Sequence, residues 1–395
     1  MSDALAAAVF AGQEDAVALL SALVTQPTEN PPGDTAAATE WLALWLEERG
    51  HMVERHPVPA PFARHYRRTD VTNLIVRRTF GPGPTIALHA PLDTLPAGEG
   101  WHREPFGAEI REGYLHGRGA RDSKADVAAY IAVLEALAAA GASAGTLELH
   151  VTSDEEGGGF LGPQFLLGQS LTEPDAVIAA GTAYQVVTGQ QGVLHLEVLL
   201  RGQQAHASRP QDGRDAIRAA VPLMAALHAH ADTLAEPLTL STIGGGRGVN
   251  IVADMVSFTI DRRLAQDEDG ETVEADLAAL ITASVTAPGV EVECRRLLLA
   301  EPVNTSEPSE RLASTLSRHA QAAFDHEIPV VSAPVVSGAR HYALAGIALA
   351  LYGVGPPIVG EGVDFTGDES VSLHDMKRAT LALATAVDEL LRGPE

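Results

Sequence analysis

Leu147-Glu148-Leu149-His150-Val151-Thr152-Ser153-Asp154-Glu155-Glu156-Gly157-Gly158-Gly159 is the stretch that decides how this chain is read. Its first half alternates apolar and polar side chains, the period of a β-strand. Its second half sets three acids and three glycines where that strand must end, and sites in open α/β sheets collect at such strand ends. Upstream, Lys124 to Ala140 has the apolar spacing of a helix closed by Gly141. Further upstream, Val71 to Arg77 and Thr85 to His89 read as strands. Strands alternating with helices predict an α/β fold with a largely parallel sheet.

Between Gly189 and Arg296 the order changes. A strand (Val193 to Leu200) is followed by a helix (Asp215 to Leu234), two strands (Leu238 to Ile243 and Val252 to Ile260), a helix (Glu271 to Val285) and a strand (Val290 to Arg296). This βαββαβ run is a compact unit in its own right, with Pro222 predicting a kink or a late start in its first helix. Alternation resumes after Glu301, so the run reads as an insertion into one discontinuous α/β domain. At the N-terminus an amphipathic helix, a loop around Pro27, Pro31, Pro32 and Gly33, and a second helix ending at Gly50 are expected.

With 395 residues and 46% hydrophobic content the chain can bury a large core, at a length where cores tend to divide in two. The single Cys294 makes no internal disulfide and no cysteine zinc cluster, so any metal must sit on His, Asp or Glu. Asp3, Glu14 and Asp15 stand where a signal peptide would be basic, and no apolar run approaches the ~20 residues of a membrane span. A cytoplasmic protein without a membrane partner is expected. The net charge of −25, from 52 acidic and 27 basic residues, repels phosphate backbones and argues against a nucleic-acid partner.

An isolated pair of glutamates after an apolar strand is more often a pair of solvated charges than a catalytic group. Here the pair has company. Leu88-His89-Ala90-Pro91-Leu92-Asp93-Thr94-Leu95-Pro96 holds an xDTxP turn, and Gly117-Arg118-Gly119-Ala120-Arg121-Asp122-Ser123-Lys124 a GRGxxDxK turn. In that order and spacing the three motifs resemble the zinc-dependent amidohydrolase and exopeptidase family of succinyl-diaminopimelate desuccinylase, acetylornithine deacetylase, aminoacylase and glutamate carboxypeptidase. The resemblance extends to Gln204-Ala205-His206-Ala207-Ser208-Arg209-Pro210, to Gly248-Val249-Asn250 with Asp261-Arg262-Arg263, and to Ser337-Gly338-Ala339-Arg340-His341.

That resemblance implies a two-domain α/β fold. A phosphorylase/hydrolase-like catalytic domain over 1–188 and 297–395 would carry an inserted ferredoxin-like lid and dimerisation domain over 189–296. It also implies a dinuclear zinc centre with five protein ligands, where a glutamate deprotonates a metal-bound water that attacks an amide carbonyl. Carried onto this chain, Glu155 is the general base with Asp93 beside it, and Asp122 and Glu156 are metal ligands. His206, from the partner subunit of a homodimer, stabilises the oxyanion, and Asn250, Arg340 and Arg263 hold the carboxylate of a small-molecule substrate. The peptide bond after Asp122 is expected to be cis.

Three expected ligand positions depart from the pattern: they hold Pro91, Ala180 and Phe365, none of which has a donor atom. His89 stands two residues before Pro91, a step of ~6.6 Å along a strand, and is expected to be a core histidine or one that supports a ligand from behind. A dinuclear zinc centre is therefore not expected. Three readings stay open. The first and preferred one is an amide hydrolase whose carboxylates hold one weakly bound divalent ion, Mn²⁺, Mg²⁺ or Zn²⁺. The others are a metal-independent enzyme working through Glu155 on a carboxylate-bearing substrate, and a non-catalytic ligand-binding relative.

Overall fold

The structure, a computed structural model, describes residues 3–68, 70–356 and 368–393. The chain divides into two compact units, one formed by 1–188, 305–333 and 337–395 and the other by 189–304 with 334–336.

The first unit is built on an eight-stranded sheet. In spatial order its strands are Val53–Pro57, Thr72–Thr79, Thr146–Thr152, Thr85–Pro91, Ala176–Ala179, Ala348–Leu351, Val186–Gln190 and Val330–Ala333. The centre is parallel, from Thr146–Thr152 through Thr85–Pro91 and Ala176–Ala179 to Ala348–Leu351. On either side of it the pairing is antiparallel. The sheet is therefore mixed where a largely parallel one was expected. At the first edge Val53–Pro57 and Thr72–Thr79 pair antiparallel, joined by a connection that carries the short helix Ala60–His65.

The helix Lys124–Ala139 is buried along nearly its whole length, the sign of a helix with neighbours on every side. It packs against the helices Asp3–Ala11, Gln13–Val24 and Leu373–Arg392 and against the central strands. Alternation along Thr146–Thr152 suggested one solvated face, yet the strand is buried on both. Its polar side chains are instead bonded to one another. The His150 ring is hydrogen-bonded through Nδ1 to the Tyr342 hydroxyl at 2.7 Å and through Nε2 to Glu148 Oε2 at 2.8 Å. Arg77 and Thr172 donate to the same carboxylate. Burial alone would push Glu148 up, but the bonds from His150, Thr172 and Arg77 outweigh it and hold the group down at about 2. His89 is a core histidine, buried and bonded to the Thr152 hydroxyl at 3.0 Å, and burial pushes it down to about 3.

The second unit is a four-stranded antiparallel sheet in the order Leu238–Gly245, Met255–Leu264, Gly192–Arg201, Glu291–Ala300, with the helices Ala216–Ala231 and Gly270–Ser284. Along the chain these elements run βαββαβ. The last strand continues four residues past Arg296, because its register with Gly192–Arg201 resumes after a bulge at Arg296/Leu298 and reaches Ala300 opposite Val193. The first helix starts at Ala216, capped by Asp215, whose side chain accepts from the Arg218 amide; Pro222 lies within it on an exposed side.

The polar network in the sheet sets a stability test. Tyr342→Phe leaves the buried His150 Nδ1 without its partner and lowers the unfolding free energy by about 1–3 kcal/mol. Urea unfolding should show a lower midpoint at unchanged slope.

Candidate active site

Parallel pairing of Thr85–Pro91 with Thr146–Thr152 sets His89 opposite His150 and Pro91 opposite Thr152, so the two strands end side by side. Asp93 and the turn Asp154–Gly159 therefore emerge together. The Asp93 carboxylate is buried and engaged on both oxygens. Oδ1 accepts the Glu155 amide at 3.0 Å, while Oδ2 accepts the Glu156 amide at 3.2 Å and the Asn30 side chain at 2.8 Å. Burial raises Asp93, and these bonds pull it part of the way back. Asp93 thus shapes the glutamate turn through its amides, a positioning role.

Glu155 faces the loop before the helix Arg340–Leu344. The Gly338 amide donates to both Glu155 oxygens, at 2.9 and 3.0 Å. The contact requires glycine twice: a Cβ on Gly338 would lie 2.7 Å from Glu155 Oε2, and one on Gly159, where φ is +76°, would lie 2.6 Å from the Gly338 Cα. Burial, together with the nearby Asp93 and Asp122, pushes Glu155 up to about 8, opposed by the Gly338 amide and the Arg340 guanidinium. Glu156 is open to solvent on one side but crowded on the others; burial, then Asp93, Asp122 and Glu155, push it up to about 9. Arg340 is buried, with its guanidinium 5.4 Å from the Phe160 ring. Beside it, the His341 ring is bonded to the Gly158 carbonyl at 3.1 Å and pushed down to about 4 by burial and by Arg340.

The Gly117–Asp122 turn is anchored by a residue that motif reading passed over. The buried Glu369 carboxylate accepts from Arg118 Nη1 at 3.0 Å and from the amides of Gly119, Arg121 and Asp122 at 2.9, 2.7 and 3.1 Å. The acidic pair Asp368-Glu369 was the available signal. Asp122 itself is exposed, accepts the Ser123 hydroxyl at 2.5 Å, and precedes a cis peptide bond, as expected. One helical turn on, buried Asp126 accepts the Val354 amide at 2.8 Å and is raised well above its ordinary value by burial. Lys124 Nζ donates to the carbonyls of Leu23 and Gln26, and burial pushes it down to about 7.

Pro91 ends its strand, Ala180 follows Ala176–Ala179 with its amide on the His89 carbonyl, and Phe365 lies outside the described residues. Among the described residues no three His, Cys, Asp or Glu side chains gather into a metal-holding group. Asp93 and Glu155 are already engaged by amides, and among the described residues the carboxylates left at the site are those of Asp122 and Glu156. Those donors do not fit a pair of zinc ions, which favour nitrogen and sulfur as well as oxygen and about four ligands each.

In the second unit His206 and Asn250 are exposed and lie on adjoining loops, tied by the Ala207 amide on the Asn250 carbonyl at 2.9 Å and by a bridge between His206 and Ile251. The His206 Nδ1 is bonded to the Ser208 hydroxyl at 2.8 Å. Arg263 is not brought to them. It sits eight residues along the strand from Met255, ~27 Å away, and its guanidinium is paired with Asp261 at 2.9 and 3.1 Å.

The chain thus joins a mixed α/β sheet, with glutamates at its parallel strand ends, to a separate βαββαβ unit. Residues 87–389 match peptidase family M20/M25/M40, and the chain belongs to that family. It is 33% identical over 229 residues to the succinyl-diaminopimelate desuccinylase of Wolinella succinogenes, covering 53% of this chain and 62% of that protein. With the enzyme of that name from Stenotrophomonas maltophilia (strain R551-3) it shares 30% identity, covering 66% and 71%. The match to the Wolinella protein thus spans less than two thirds of that relative's length. A di-peptidase from Saccharomyces cerevisiae superposes with a TM-score of 0.82 at 13% identity, covering 99% of each chain. A dinuclear metal-binding peptidase from Bacillus subtilis does so at 0.67 and 16%, covering 97% of this chain and 99% of its own. At those identities the likeness is one of fold.

Two measurements test this geometry. Glu369→Gln removes the charge that gathers four donors, so hydrogen exchange at the Gly119, Arg121 and Asp122 amides should speed up while that of the central strands is unchanged. The raised carboxyls give the pH test. Unfolded, Glu155 and Glu156 ionise near 4.5; folded, they ionise at about 8 and 9. Their protonated forms therefore favour the fold fully below about pH 4.5, and that contribution is lost as pH rises through 8 and 9. Stability without divalent ions should fall across this window, and Glu155→Gln with Glu156→Gln should flatten the fall.

Proposed function

We propose that this chain hydrolyses an amide bond in a small carboxylate-bearing substrate, an N-acyl amino acid or short peptide, at a site whose metal centre is degenerate. One observation carries the proposal: the Glu155 carboxylate is held by the Gly338 amide at the mouth of two parallel strands, with its proton affinity raised to about 8 and buried Arg340 beside it. A base with a pKa near the working pH is suited to proton transfer in both directions. Glu155 takes a proton from the attacking water as its oxygen bonds to the carbonyl carbon. It then delivers that proton to the leaving nitrogen as the C–N bond breaks. Arg340 holds the substrate carboxylate, and Asp93 keeps the base in place through the amides of Glu155 and Glu156.

Asp122 and Glu156 present only oxygen, which suits one hard divalent ion such as Mn²⁺ or Mg²⁺ better than two zinc ions. The absence of donors at Pro91 and Ala180 supports this, and it equally supports hydrolysis without bound metal. We also propose a cytoplasmic homodimer joined through the second unit, with His206 and Asn250 serving the partner's site. A monomeric mass by light scattering would remove that role.

Glu155→Gln should lower kcat on a panel of N-acyl amino acids and dipeptides by ~10²–10⁴-fold. Unchanged turnover would exclude Glu155 as the base. Without divalent ions kcat should rise with pH up to about 8, as Glu155 ionises. Elemental analysis of chain purified without chelator should find no more than about one equivalent of divalent metal. Two equivalents of zinc would overturn the degenerate centre.

A further inference from the structure

Arg68, which belongs to none of the motifs, lies at the glutamate turn. It follows the short helix Ala60–His65, in a segment docked by Tyr66, whose ring stacks on Phe160 at 5.0 Å and 17°. Phe160 also meets the His341 ring at 5.3 Å and lies under Arg340. The Arg68 side chain passes between two glycines. A Cβ on Gly33 would lie 2.7 Å from its Cδ, and one on Gly157, the residue after Glu156, would lie 3.3 Å from its Nη2. The guanidinium therefore rests against the backbone of the turn that carries Glu155 and Glu156.

Its bonding is incomplete. Only 11% of the side chain is exposed, and the acid paired with it, Asp154, is 3.9 Å away from Nε to Oδ1. That is an ion-pair distance, too long for a hydrogen bond. Arg68 Nε and Asp154 Oδ1 are both buried, and neither has a hydrogen-bond partner among the described residues. A buried guanidinium left short of bonds is costly unless something completes its set. The planar fork of an arginine matches a carboxylate in two-point contact. The approach is cationic too: Arg64 and Arg67 are exposed, so three of residues 64–68 are arginine in a chain with a net charge of −25.

We propose that Arg68 is a specificity-determining residue of this site, its guanidinium receiving a second carboxylate of the substrate beside the one held by Arg340. The substrate class is then acidic, an N-acyl amino acid or peptide with two carboxylates. This deepens the hydrolase reading and rests on it only for the word substrate, since binding can be measured without turnover.

The test is calorimetric binding of succinate, glutarate and adipate against pentanoate, none of which has an amide to cleave, to the full chain. Wild type should bind the best dicarboxylate ~10-fold or more tighter than pentanoate, the size of one charge-assisted two-point contact. Arg68→Met should reduce that ratio to below about 3-fold, and Arg68→Lys, which keeps the charge but not the fork, should fall between. Circular dichroism of each variant reports folding; if Arg68→Met does not fold, Arg68→Lys carries the test. A purely structural Arg68 would change melting temperature and leave the ratio alone. A ratio unchanged in the folded variants, or no preference for dicarboxylates in wild type, overturns the proposal. The two readings fail separately: an Arg68-dependent preference in a chain that cleaves no amide leaves this one standing, and amide turnover indifferent to Arg68 leaves the other.

Discussion

A strand that leaves its sheet must find acceptors for the backbone amides it no longer pairs, because buried unpaired N–H groups are costly. In this chain carboxylates meet that demand at the candidate site. Asp93 accepts the amides of Glu155 and Glu156, Glu369 accepts those of Gly119, Arg121 and Asp122, Asp154 accepts that of Leu161, and Glu155 accepts that of Gly338. The shape of the site depends on these bonds. They hold loops from distant parts of the chain near the ends of the strands Thr85–Pro91 and Thr146–Thr152.

The same solution creates the electrostatic problem of the site. Acids that accept amides are buried, and burial raises Asp93, Asp154 and Glu155 against the pull of the bonds they receive. Asp154 is pushed up to about 7, first by burial and then by Asp93, with Arg68 opposing. Arg68 and Arg340 are set among these groups, and Lys124 acts on Asp93. Among the described residues, these guanidinium groups oppose part of the charge of Asp154 and Glu155. In the proposed reading, this cationic edge receives the carboxylates of the substrate.

Away from the site the sheet obeys the same rule in a different form. Glu148 and His150 occupy positions that alternation would assign to solvent, and they are tolerated inside because Arg77, Thr172 and Tyr342 complete their bonds. Tyr342 belongs to the helix that starts at Arg340, so this network ties the strand below the site to the element that carries its arginine.

The sequence by itself determined the order of elements, because hydrophobic period and turn residues are local signals: the strand before Asp154, the helix from Lys124, and the βαββαβ run were all legible. It also marked Glu155, Asp122 and Arg340, since each sits in a short motif with its neighbours, and it showed that Pro91 and Ala180 lack donors. Tertiary structure alone decided which acids are engaged and which are open. Asp93 looked like a partner in the chemistry and is taken up by two amides and Asn30; Glu369 anchors a turn 250 residues away. Arg263, grouped with Asn250 by motif, lies along a strand from it and is paired with Asp261. Arg68 carried no motif. These roles depend on contacts between residues far apart in the chain, and no local period or spacing records which amide a carboxylate will meet.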